Sequence, residues 1–211
     1  MEATDAADTI REAAEEQERA AEQADERFRR RAAVAIGVLA MLLAITSLGG
    51  ENAGKETVNN NILASDTYAF YQAKNIRQTS YQLAADELEV LLAAHPEMPS
   101  PARADLQRRL EDYRATVARY ESDPVEAGGQ GEGKQQLLAR ARGYEGQRDR
   151  AQRQDPNFDY AQALFQIAIV LGSVSIVSTS RRLLGLGLAL GAVATLLMLN
   201  GYFLVIHLPI G

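Results

Sequence analysis

The fold of this chain is decided by the stretch RRRAAVAIGVLAMLLAITSLGG at residues 29–50. Three arginines, Arg29, Arg30 and Arg31, precede the uncharged run 32–50. Its length suits the roughly 30 Å hydrocarbon thickness of a bilayer. The run follows 31 mostly polar residues, which is unlike a cleavable signal peptide. The stretch therefore predicts a transmembrane helix that remains part of the protein.

Two further apolar runs, 158–180 and 183–206, are separated by Arg181 and Arg182. Three such runs in one chain favour membrane spans over core helices of a soluble protein. Cytoplasmic loops of membrane proteins are enriched in Lys and Arg, so both arginine clusters are placed inside. The sequence predicts a bacterial inner-membrane protein with a cytoplasmic N-terminus and with residues 51–157 in the periplasm.

Composition argues against several classes of function. The net charge is −6, and no segment outside the spans is strongly basic, so a nucleic-acid partner is not expected. The chain has no Cys, and His95 and His207 are too far apart in sequence for a metal-ligand motif. No nucleophile or cofactor motif stands out either. We therefore predict a non-enzymatic protein without metal or cofactor.

The N-terminal segment, residues 1–31, is rich in the strong helix formers Ala, Glu, Gln and Arg. Acids dominate its start and arginines its end, which complements a helix dipole. We predict a polar acidic helix in the cytoplasm that runs without a break into the first span. The alternative is a disordered acidic tail.

The region 51–157 predicts three helices joined by Pro-rich or Gly-rich breaks. The expected helices cover about 56–94, 102–123 and 134–154. The expected breaks are GGENAGK after the first span, HPEMPSP at 95–101, GGQGEG at 128–133, and Asp155-Pro156 before the second span. Short connections favour antiparallel neighbours, so we predict an all-α chain whose extramembrane part is an antiparallel helical hairpin or a three-helix coil.

A seam on the second of these helices has the clearest heptad spacing in the chain: Leu106, Leu110, Tyr113, Val117 and Tyr120. The first helix has a near-heptad stripe that includes Val58, Ile62, Ile76, Leu83 and Val90. The third helix is mostly charged after Tyr144 and is too polar to cover both. We therefore predict that the second-helix seam joins copies of the chain.

A polar ridge near the start of the same region comprises Tyr71, Gln72, Lys74 and Arg77. Its two cations could bind an anionic head group or a carboxylate. They could equally bridge to acids of the second helix, such as Glu111 or Asp112, and this structural interpretation is favoured.

Small residues in the third span, Gly185, Gly187 and Gly191, predict close packing of membrane helices, within the chain or between subunits. Asn200 is expected to form an inter-helix or head-group hydrogen bond. Four aromatic residues are expected in an outer interfacial belt: Phe158, Tyr160, Tyr202 and Phe203.

Two segments resemble a bacterial membrane-protein family known as domain of unknown function 4337. They are TYAFYQAKNIR at 67–77 and FDYAQALFQIAIVLGSVSIVSTSRRLL at 158–184, following an acidic Ala-rich lead into an early span. The resemblance covers nearly the whole chain. It implies no activity, because the family has none assigned.

These patterns favour a structural role in the lipid bilayer, as a homo-oligomeric scaffold or an accessory subunit of a larger membrane complex. The alternative is a channel or transport component whose pore is lined by the spans of several subunits. A water-filled pathway needs polar linings, and the spans offer few.

Overall fold

The computed structural model describes the backbone of residues 2–123 and 131–206, and the side chains of residues 15–123 and 131–206. Within these ranges the chain has four helices and no strand, which confirms the predicted all-α class. The helices are α1 (Glu2–Ala94), α2 (Ser100–Glu121), α3 (Lys134–Val177) and α4 (Arg181–Phe203). The first half of the predicted GGQGEG break, residues 128–130, lies outside the described residues.

The predicted break at Gly49-Gly50 is wrong, because α1 continues through it. A Cβ added at Gly49 would lie 2.6 Å from Cε1 of Phe158, and one at Gly50 would lie 3.3 Å from Cβ of the same residue. Glycine disfavours a helix by only about 1 kcal/mol relative to Ala, so tertiary packing can override that preference. These glycines therefore allow α3 to approach α1 closely.

The predicted break at Asp155-Pro156 is also wrong, because Pro156 lies inside the continuous helix α3. A proline in a helix removes one backbone N–H and the hydrogen bond it would donate to the carbonyl four residues earlier. Beside this gap the Asn157 side-chain amide donates to the carbonyl of Arg153 at 3.0 Å. Asn157 and Phe158 are both buried, so packing holds the helix together across the proline.

The predicted break at HPEMPSP is confirmed, since α1 ends at Ala94 and α2 begins at Ser100. Ser100 is the first residue of α2, and Pro99 occupies the N-cap position without a side-chain hydrogen bond. The helices that contain the apolar runs 158–180 and 183–206 have other bounds than those runs, since α3 ends at Val177 and α4 covers Arg181–Phe203.

The chain divides into a terminal unit, residues 1–54 and 151–211, and a central unit, residues 55–150. The terminal unit is built from parts of α1 and α3 together with α4, around a core that includes Leu39, Phe165 and Met198. Three helices, α1, α3 and α4, contain segments long and apolar enough to cross a membrane.

Close helix contacts in the terminal unit involve two of the three predicted packing glycines. A Cβ at Gly187 would lie 3.0 Å from the carbonyl oxygen of Ala168, and one at Gly191 would lie 2.5 Å from Cδ2 of Leu39. A Cβ at Gly185 would meet nothing within 4 Å. Gly187 and Gly191 thus pack within the chain, against α3 and α1, whereas Gly185 faces open space.

Asn200 forms the predicted inter-helix hydrogen bond. Its Nδ2 donates to Oδ1 of Asn157 at 2.8 Å and to the carbonyl of Ile206, and its Oδ1 accepts from the Ile206 N–H. Phe158 departs from the predicted aromatic belt, because its ring is buried and packs edge-on against Tyr202 with centroids 4.9 Å apart. Asn200 and Phe158 are therefore core residues.

In the central unit, α2 and α3 lie one after the other along α1, and both run antiparallel to it. Contacts of α2 with α1 extend from Leu92, whose carbonyl accepts from Arg103, to Gln78, which donates to the Val117 carbonyl. Contacts of α3 with α1 continue from Lys134 on Gln78 to Arg148 on Asn61. The unit is therefore a helical hairpin with a divided second arm, not three helices side by side.

This arrangement gives the predicted α2 seam a partner within the same chain. Leu110 is buried, and the other four seam residues, Leu106, Tyr113, Val117 and Tyr120, are half-buried. The exposed apolar residues of the central unit lie instead on the opposite face of α1. There Ile62, Ile76, Leu83 and Val90 have exposed fractions of 53%, 67%, 60% and 69%.

Candidate functional site

A cluster of charged and amide side chains lies where the end of α2 and the start of α3 meet on α1. We call it the junction cluster: Lys74, Gln78, Glu121, Glu132 and Lys134. All five belong to the central unit. Lys74 and Gln78 are one helical turn apart, so α1 presents both on the face that contacts its partners.

Lys74 is buried, with only 7% of it exposed, and its ammonium group has three neighbouring residues as partners. Its Nζ donates a short hydrogen bond to the Glu132 carbonyl and lies 3.6 Å from the Glu132 carboxylate. The same ammonium lies 5.3 Å from the ring centroid of Phe70 and 5.7 Å from that of Tyr120. A buried ammonium needs such partners, because desolvation disfavours its charged form.

Gln78 connects the three helices through both ends of its amide. Its Nε2 donates to the Val117 carbonyl and to the Glu121 carboxylate, each at 3.1 Å. Its Oε1 accepts from Nζ of Lys134 at 2.7 Å, and Lys134 is also 3.2 Å from the Glu121 carboxylate. The end of α2 and the start of α3 are thus both fixed to one residue of α1.

Tyrosine rings pack around the junction cluster. The Tyr81 ring lies 5.4 Å from Tyr113 in an edge-on contact and 5.9 Å from Tyr120 in a tilted one. Nζ of Lys134 lies 5.7 Å from the centroid of Tyr71. Two seam residues therefore contribute to this site rather than to an exposed surface.

The polar ridge divides between two faces of α1. Lys74 is buried and Tyr71 half-buried in the junction, whereas Gln72 and Arg77 are exposed. The predicted bridge to Glu111 or Asp112 is wrong for Lys74, whose carboxylate partner is Glu132. Helical periodicity placed Lys74 beside α2, but it gave no information about the chain segment before α3.

Four members of the cluster, Gln78, Glu121, Glu132 and Lys134, were not singled out from the sequence. One signal for Gln78 is present. Positions 60, 64, 67, 71, 74, 78, 81 and 85 repeat at alternating steps of four and three, and they mark a second seam on α1. That seam contains Asn, Thr, Lys and Gln among its apolar residues, which obscures it in a hydropathy pattern.

A family model described as Domain of unknown function (DUF4337) matches residues 28–204. The chain belongs to this family. The matched range includes the whole central unit and the apolar parts of α1, α3 and α4. No curated protein and no solved structure matches the chain.

In this DUF4337 protein the junction cluster joins two lysines to two glutamates around one amide. Hydrogen bonds from Gln78, and then from Lys134, hold the pKa of Glu121 below its usual value. Among the described residues, no buried side-chain nitrogen or oxygen lacks a hydrogen-bond partner. Because its donors and acceptors serve one another, the junction is suited to fastening α2 and α3 to α1 rather than to holding a ligand.

Proposed function

We propose that this DUF4337 protein is a membrane-anchored scaffold that assembles with copies of itself through the exposed face of α1. One observation supports the proposal above all. Ile62, Ala69, Ile76, Leu83 and Val90 follow one another at intervals of seven residues on this face, which we call the α1 stripe. Its large members are more than half exposed. A heptad repeat of this kind suits packing against another helix.

The divided arm explains why no helix of the described residues covers the α1 stripe. At each level of the central unit, α1 faces either α2 or α3 on its inner side, so its outer side stays open. Burying a large apolar side chain contributes about 1.5–3 kcal/mol. An exposed apolar row of this length is typical of an interaction site.

A second copy is the partner that fits this face. Membrane insertion would hold two copies parallel, and in register each Asn61 would flank Asp66 of the other copy while Gln82 would flank Glu87. No pair of like charges meets at these flanking positions. Asp86 also borders the stripe and would bring like charges together, but it lies near the distal end of the row.

The polar groups of the terminal unit favour a scaffold over a pore. The hydroxyls of Thr46, Ser173 and Ser175 donate to backbone carbonyls of their own helices, as do those of Ser178 and Thr195. The Asn200 amide is satisfied within the chain. The hydroxyl hydrogens are thus used within the helices, and these few groups offer little polar surface to line a water-filled pathway.

The proposed orientation has the central unit in the periplasm of a bacterial inner membrane, and it follows from the two arginine clusters. The chain has no Cys, so single cysteines give an unambiguous readout. We expect a cysteine at the exposed Ala115 of α2 to react with an impermeant maleimide in intact spheroplasts, and one at Ser178 to react only after lysis. Labelling in the opposite order would place the central unit in the cytoplasm.

Assembly is tested by charging the α1 stripe. We expect Ile76→Glu with Leu83→Glu to convert the detergent-solubilised oligomer to a monomer of 23.0 kDa, read by native mass spectrometry. Loss of two large contacts in each copy should weaken association by at least about 100-fold. The helical circular dichroism signal should be unchanged, because both side chains are exposed.

The matched control places the same charges on α2, as Ala104→Glu with Ala115→Glu at exposed positions, and should leave the oligomer intact. A monomeric wild-type protein would contradict self-assembly. Stoichiometric co-purification of that monomer with another membrane protein would support an accessory subunit instead.

A further inference from the structure

A basic recess of about 360 Å³ lies in the terminal unit, between α1 and the start of α4. Three arginines, Arg27, Arg31 and Arg181, form its charged part, and Phe28, Leu184 and Leu188 contribute apolar surface. Gly185 also lines it, which accounts for the open space beside that glycine. The recess therefore combines converging positive charge with an apolar wall.

No carboxylate among the described residues forms an ion pair with the arginines of the recess. In the described part of the chain, every ion pair joins other side chains, and none includes Arg27, Arg31 or Arg181. Arg27 donates only to the backbone and side-chain oxygens of Gln23. Three guanidinium groups without carboxylate partners favour an external anion, and their planar donors match phosphate oxygens.

The backbone adds to this positive potential. Helix α4 begins at Arg181 with Ser180 at the N-cap, no side chain caps it, and its first turn contains no acid. The N–H groups at a helix N-terminus favour anions. The recess also lies where two apolar runs begin, at residues 32 and 183, which is head-group depth if both helices span the bilayer.

From this geometry we infer that the recess binds the phosphate of an anionic phospholipid head group in the cytoplasmic leaflet. The three arginines hold the phosphate, and Phe28, Leu184 and Leu188 contact the glycerol and upper acyl chains. Basic pockets between membrane helices bind anionic head groups by the same chemistry. The inference rests on the proposed membrane insertion but is independent of assembly through α1.

The test compares two charge-matched variants of the full-length chain in detergent, with bound lipid counted by native mass spectrometry during titration with phosphatidylglycerol. Arg27→Gln with Arg31→Gln removes two charges that line the recess, and should lower the affinity at least about tenfold. Arg29→Gln with Arg30→Gln removes two charges that are close in sequence but do not line the recess, and this variant should retain wild-type affinity. Phosphatidylcholine, whose head group has no net charge, should bind the wild type and both variants equally weakly.

Several results would overturn the inference. Equal loss of affinity in both variants would show diffuse attraction to the arginine cluster rather than a defined site. Displacement of the lipid by millimolar inorganic phosphate would identify a free anion as the ligand. Wild-type protein that is found in the membrane fraction yet binds no phosphatidylglycerol would disprove the recess alone, whereas wild-type protein absent from that fraction would disprove the proposed insertion.

Discussion

Replacing Leu110 with aspartate is expected to unfold the central unit. Leu110 is 9% exposed and lies on the α2 face that packs against α1. Deleting a buried leucine side chain costs about 2–5 kcal/mol, and an unpaired buried carboxylate adds a desolvation penalty. Domains of this size have a total stability of only about 5–15 kcal/mol. We expect a large loss of helical circular dichroism and rapid proteolysis between residues 55 and 150.

Leu83→Asp is the matched control, because it introduces the same charge on the opposite face of the hairpin, where Leu83 is 60% exposed. This variant should keep its helical circular dichroism signal and its protease resistance, but native mass spectrometry should show a monomer in place of the oligomer. A folded, dissociated Leu110→Asp protein beside an unaffected Leu83→Asp protein would reverse the assignment. It would make the α2 seam the surface between subunits.

Replacing Gly49 with leucine is expected to disrupt the terminal unit. Any Cβ there would lie 2.6 Å and 2.8 Å from two atoms of the Phe158 ring and 2.9 Å from Oη of Tyr202. The Phe158 ring cannot move aside easily, because it also packs against Gly201, where a Cβ would lie 2.8 Å from it. The Tyr202 ring is fixed as well, because its hydroxyl donates a hydrogen bond to the Ile45 carbonyl. Overpacking of a dense core costs about 1–3 kcal/mol, occasionally more.

Gly37→Leu provides the comparison, because a Cβ at Gly37 would meet nothing within 4 Å. Both substitutions put leucine for glycine in the same helix and the same apolar run. We expect Gly49→Leu to lower the thermal unfolding temperature in detergent and Gly37→Leu to leave it unchanged or raise it. Equal behaviour of the two variants would show that the Phe158 contact does not limit stability.

The positions of the helices were largely predictable, because length and hydropathy identify apolar runs without knowledge of the fold. The two wrong breaks share one cause. Gly49-Gly50 and Pro156 disfavour a helix locally, yet the helices continue because Phe158 packs on the two glycines and because Asn157 and Phe158 are buried beside the proline. Local propensity differs by only about 1 kcal/mol for glycine, so close packing decides such cases.

The partners of each helix face were less predictable than the faces themselves. The α2 seam and the α1 stripe both have heptad spacing, and periodicity does not say which one is satisfied inside the chain. The second seam on α1 was not identified because polar side chains, among them Lys74 and Gln78, interrupt it. Their partners, Glu132 and Lys134, are more than 50 residues away, where sequence spacing carries no information.

The two faces of α1 also have different genetic consequences. A chain altered at the junction with α2, as at Leu110, would misfold and be degraded before it met a normal copy, so its loss should be recessive. A chain altered in part of the α1 stripe would still fold and insert. Because it could not join other copies, it would stay in the membrane as a folded monomer. The amount of protein would then be normal while the proposed assembly, and any function that depends on it, is lost.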